Sequence, residues 1–83
     1  MKIVNYAVRK THDNKYELCQ VSIMDTLHGR RKFSETQGLR YKRMEYAIKE
    51  AHNFFHNVYD NWTNTKIVFI GVLEKDEYRG ELA

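Results

Sequence analysis

The sequence predicts a small α+β domain, a mostly antiparallel sheet with one packed helix, in the order β-β-β-α-β. Three observations carry that expectation. Residues 2–10 and 16–25 alternate between two faces around a short polar turn, which is hairpin patterning. Residues 40–59 repeat their apolar positions at spacings of three and four, the helical period. Residues 66–73, Lys-Ile-Val-Phe-Ile-Gly-Val-Leu, are β-branched and apolar on both faces, as in a strand covered on both sides.

Each element has its own justification. In the first strand Val4, Tyr6 and Val8 share one face, and Ile3, Asn5, Ala7 and Arg9 the other. Asp13-Asn14 supplies the turn, because short polar side chains tolerate its backbone bends. In the second strand Cys19, Val21 and Ile23 oppose Tyr16, Leu18, Gln20, Ser22 and Met24. His28-Gly29 marks the next turn, and Arg30 to Glu35 predict a third, shorter strand anchored by Phe33. Met44, Ala47, Ile48, Ala51, Phe55 and Val58 form the helix stripe, with Phe54 and Tyr59 on its margins. Ser34, Thr36 and Gln37 offer capping chemistry before it. Asp60 to Asn64 closes the helix in a polar loop, and the charged tail 75–83 is expected to fray.

If the fourth strand lies beside the first, the two run parallel and the helix is the crossover. One helix covers one face. The other face, with Ile3 and Leu18 as exposed candidates, then favours a homodimer or a protein partner.

At 83 residues the chain is expected to be one compact domain, 1–83. Ile, Leu, Val and Phe make up 20 of those residues, enough for one core. No apolar run reaches the roughly 18 residues of a membrane helix, and Arg9 and Lys10 interrupt the start before a signal-peptide core can form. A cytoplasmic protein without membrane association is expected. A single cysteine, Cys19, excludes an internal disulfide framework and a four-cysteine zinc site. On its apolar strand face Cys19 reads as a small buried hydrophobe.

Chemistry-bearing constellations are sparse. His52 and His56 stand at i and i+4 on the helix, a spacing from which both rings can reach one zinc ion. Asn53 follows the first of them where a metalloprotease motif has glutamate, and imidazoles beside an apolar stripe also serve as edge packing. A divalent-cation nuclease needs converging carboxylates. Asp25, Glu35 and Glu45 are scattered by the predicted elements, and the first strand contains no acid. Asn61-Trp62-Thr63 matches the glycosylation pattern without a secretory context. No phosphate-cradling glycine loop or catalytic triad is present, so a non-enzymatic protein needing no cofactor is expected.

Charge gives the strongest functional lead. The net charge is +3, but residues 1–43 carry ten basic and four acidic side chains, and residues 44–83 four basic and seven acidic. Arg30, Arg31, Lys32, Arg40, Lys42 and Arg43 face only Glu35 within their stretch. Placed on a short strand and at the helix start, they predict one patch that neutralises phosphates, with the helix N-terminus and Tyr41 and Tyr46 adding donors and stacking. The same cations also suit an edge strand guarded against pairing. The leading expectation is DNA or RNA binding. The alternative is a protein-interaction module, an inhibitor or regulator such as mobile elements encode against host defences. Six tyrosines and Trp62 favour that alternative as interface anchors.

Overall fold

The computed structural model describes residues 2–60 and 62–78. Its elements are β1 (Lys2–Lys10), β2 (Tyr16–Thr26), β3 (Gly29–Tyr41), α1 (Met44–Tyr59) and β4 (Thr65–Leu73). Asn61, within the Asn-Trp-Thr triplet, and the end of the expected tail, 79–83, lie outside the described residues.

The first turn forms because Asn14 accepts φ +59 and the Thr11 hydroxyl takes the Lys15 N–H at 3.0 Å. β1 and β2 then pair antiparallel from Asn5↔Val21 to Lys10↔Tyr16. β2 and β3 pair antiparallel out to Thr26↔Gly29. β4 returns parallel to β1, giving the order β3-β2-β1-β4 with α1 as the crossover. The expected α+β class and element order are what the chain adopts.

The core follows the alternation. Tyr6, Val8 and Leu18 meet Ala47, Ala51 and Phe55 on the helix side, with Tyr6 stacked on Phe55 at a centroid distance of 5.0 Å. Ala7, Cys19, Val21 and Leu73 form a second cluster on the opposite face. Leu18, expected among the exposed residues, is fully buried because its register puts it under α1.

Four differences from the sequence reading bear on the site. First, β3 runs to Tyr41 instead of ending near Glu35. Gly38, at φ +81, permits an irregularity that resets the pairing from Cys19↔Thr36 to Glu17↔Arg40, so β2 keeps a partner along its length. Ser34 and Thr36 are therefore strand residues, and α1 starts at Met44 after Arg43, whose side chain makes no cap hydrogen bond.

Second, β4 is an edge strand and not an interior one, and Phe69 and Ile70 keep about two-fifths of their surface exposed. Third, Val58 lies off the buried stripe and is exposed.

Fourth, the start of the tail is ordered. Residues 74–78 turn back across the second sheet face, and the Tyr78 carbonyl accepts the Ser34 N–H at 2.7 Å.

Candidate nucleic-acid interface

The six basic residues ride on β3 and its exit, and all are exposed. Because β1 leaves β2 at Val21 while the β2–β3 ladder continues, Ser22–Thr26 and Gly29–Phe33 project as a two-stranded arm. Leu27 at its tip is fully exposed. Alternation puts Arg30 and Lys32 on the face of Cys19 and Val21, and Arg31 on the face of α1. Arg30 pairs with its cross-strand neighbour Asp25 at 3.3 Å, and Lys32 Nζ stands 5.3 Å from the centroid of the Tyr78 ring. His28, Arg30, Arg31 and Lys32 share a shallow depression of about 410 Å³ with Asp76 and Tyr78.

Arg40, Lys42 and Arg43 form a separate group. Arg40 is a strand residue, held by Asp13 at 3.5 Å and Glu17 at 3.8 Å. Lys42 and Arg43 make the two-residue link into α1. With Tyr41, Tyr46 and Lys49 they line an open groove of about 940 Å³, with Glu45 on its rim. The Tyr41 and Tyr46 rings meet edge to face at 5.3 Å. The charge of Glu50 raises the Tyr46 hydroxyl above its usual pKa, so the ring stays a neutral donor at ordinary pH. With no side-chain cap at Arg43, the helix's first-turn N–H groups add positive potential beside these cations.

Arg31 and Arg40 face Met24 and Glu17 on β2, so at about 3.3 Å per strand residue they stand about 23 Å apart, the bulge at Gly38 taking up the rest of β3. The expected single patch is therefore two clusters at opposite ends of one edge strand. Arg31, Lys42 and Arg43 carry no ion pair among the described residues, whereas Arg30 and Arg40 do. Lys49, on α1, belongs to the second cluster.

The other candidates resolve differently. The His52 and His56 rings lie 4.1 Å apart, with His52 Nδ1 3.2 Å from the Tyr6 hydroxyl and His56 edge-on to Tyr6. No third His, Cys, Asp or Glu joins them among the described residues, so their visible work is packing over Tyr6. Asp25, Glu35 and Glu45 sit on the arm, on β3 and on α1, and are not brought together. Cys19 is buried, and burial pushes its thiol pKa up to about 11. Tyr59 donates to Gln20 at 3.0 Å, and Lys2 lies over Trp62, which stays half exposed.

Sequence reasoning missed the polar cluster on the second face. Arg9 and Glu17 are cross-strand partners and both are buried. Arg9 donates to the Ser34 hydroxyl and to the Glu77 carbonyl. The signal was available: Arg9 and Glu17 occupy positions whose strand neighbours, Ala7 and Cys19, are apolar.

No helix among the described residues is long and apolar enough to cross a membrane. Comparison with known proteins gives no match: no family model fits the sequence, no curated protein is similar to it, and no solved structure matches the fold.

Proposed function

We propose that the chain is a non-enzymatic nucleic-acid-binding protein that seats a duplex along β3. The observation that carries this reading is the placement of two exposed cationic clusters at the ends of one edge strand. Their separation of about 23 Å is less than the 34–36 Å of one duplex turn, so both clusters reach phosphates within a single turn. The arm supplies Arg30, Arg31 and Lys32. The groove supplies Arg40, Lys42 and Arg43, a helix N-terminus suited to an anion, and two tyrosines.

The test is fluorescence anisotropy of labelled duplex DNA, single-stranded DNA and RNA. Contacts from six or more cations lower affinity by on the order of a thousandfold between roughly 50 and 200 mM salt. The triple reversal Arg31→Glu, Lys32→Glu, Arg43→Glu is expected to abolish binding while circular dichroism stays unchanged. Unchanged affinity in a folded triple variant rejects the assignment.

A second reading, a protein-interaction module that forms a homodimer, rests on one corner of the second face. Ile3, Ile23 and Ile70 are 57%, 46% and 42% exposed. They border two neighbouring depressions, one lined by Ile3 and Ile23 and the other by Ile23 and Ile70. Sedimentation velocity across a hundredfold concentration range separates the readings: a dimer lost on Ile23→Asp supports it, and a monomer throughout rejects it.

A further inference from the structure

Residues 74–78 leave β4 and cross the second sheet face to reach β3, the full width of the sheet. The segment is acidic, with Glu74, Asp76 and Glu77, and its polar contacts include Arg9, Lys10 and His12. Glu74 pairs with Lys10 at 3.6 Å and Asp76 with His12 at 3.8 Å. The Glu77 carbonyl accepts from Arg9, and the Tyr78 carbonyl accepts from both the N–H and the hydroxyl of Ser34. The Tyr78 ring packs on the Ala7, Cys19, Val21 and Leu73 cluster and takes Lys32 against its face. Asp76 and Tyr78 form one wall of the depression shared with Arg30, Arg31 and Lys32.

Resting on the nucleic-acid reading above, we propose that this acidic strap is an intramolecular competitor for the arm's phosphate-binding face, displaced when nucleic acid binds. Two physical features make it displaceable. Its ion pairs are exposed and individually worth little. Tyr78 is held at φ +58, a left-handed conformation unfavourable for a side chain of its size. Displacement frees Lys32 of the arm from the tyrosine ring and, at the groove end of the sheet, where Lys10 stands opposite Tyr16 and Tyr16 opposite Tyr41, frees Lys10 from Glu74. A bound duplex therefore meets more positive charge than the free protein presents.

The experiment compares wild type, Glu74→Gln/Asp76→Asn and Tyr78→Ala, with Asp60→Asn as a control that removes negative charge away from the strap and from both cationic clusters. Duplex DNA affinity is read at roughly 50 mM salt, and Ser34 amide exchange is read by NMR with and without duplex. Both strap variants are expected to bind about tenfold more tightly than wild type, the gain of about one phosphate contact at that salt. The control variant is expected to gain less than threefold. Ser34 exchange is expected to accelerate in wild type at saturating DNA, because the Tyr78 carbonyl no longer protects it.

Equal affinities for wild type and the strap variants, or Ser34 protection that persists in the complex, overturn the strap proposal and leave duplex binding standing. Absence of binding by all four proteins overturns the nucleic-acid reading and the strap with it.

Discussion

Arg9 and Glu17 stand directly opposite each other on β1 and β2, with opposite charges and at most 3% of either residue exposed. Arg9 commits one guanidinium nitrogen to Ser34 and the Glu77 carbonyl, while its Nε and Nη1 and the Glu17 Oε1 have no hydrogen-bond partner among the described residues. Glu17 also faces Arg40 at 3.8 Å. Removing one charge of such a set leaves the other buried and uncompensated, whereas replacing both with apolar groups is close to neutral. Arg9→Leu is therefore expected to lower stability by roughly 3 kcal/mol in urea denaturation. Arg9→Leu/Glu17→Leu should recover most of that loss. A loss in the double variant equal to the sum of the Arg9→Leu and Glu17→Leu losses shows instead that the two charges act independently.

Cys19 makes a pH-dependent contribution of definite sign. Its thiol is raised from 9.0 to about 11, first by burial, against a smaller opposing effect from the Arg9 charge. The native state thus holds a proton that the unfolded chain releases between those values. The contribution is complete below pH 9 and is lost as pH rises toward 11, amounting to roughly 2 to 3 kcal/mol. Wild type should lose more stability than Cys19→Ala between pH 8 and pH 11. The same burial predicts that native Cys19 resists alkylation at pH 8 and reacts quickly in urea. Parallel pH profiles for the two proteins contradict the assignment.

The regular periods were the legible part of the fold. Tyr6 and Val8 at period two, and Ala47, Ala51 and Phe55 at spacings of four, settled which faces meet, since burying them in any other register leaves apolar surface in water. What escaped was set by long-range partners. Gly38 reads locally as a break, and only pairing with Glu17 shows it to be a bulge inside a longer strand. The acidic tail reads as frayed, and only buried Arg9, with Ser34 presenting its N–H and hydroxyl beside it, explains why residues 74–78 are held. The six cations were legible as residues but not as two clusters, because their separation depends on β3 continuing to Tyr41.

Phe55 and Val58 test how narrow the buried helix stripe is. Phe55 is 1% exposed and stacks on Tyr6, whereas Val58, three residues on, is 46% exposed. Phe55→Ala is expected to cost about 3–5 kcal/mol, enough to unfold a marginal domain. Val58→Ala should stay within about 0.5 kcal/mol, the range of an exposed site. Thermal unfolding of the two variants measures both. A large loss at Val58 would place it in an interface that the isolated chain does not contain.

Arg31 and Arg43 test whether both ends of β3 touch the same duplex. They carry no ion pair among the described residues, so replacing either frees no buried carboxylate and leaves the fold intact. Each lies on a different cluster, roughly 20 Å or more from the other, beyond the 7–10 Å range over which substitutions couple. Arg31→Ala and Arg43→Ala should each weaken duplex binding and lower the slope of log affinity against log salt by about one. The double variant should show the sum of both effects. The length of DNA supplies the sharper measurement. A six-base-pair duplex, about 20 Å long, falls short of the separation of the two clusters, so on it Arg31→Ala and Arg43→Ala should no longer add. Full additivity on a six-base-pair duplex would mean that binding does not need both clusters bridged along β3, and an effect confined to Arg31 would mean that the arm binds alone; either result shows that β3 is not a track.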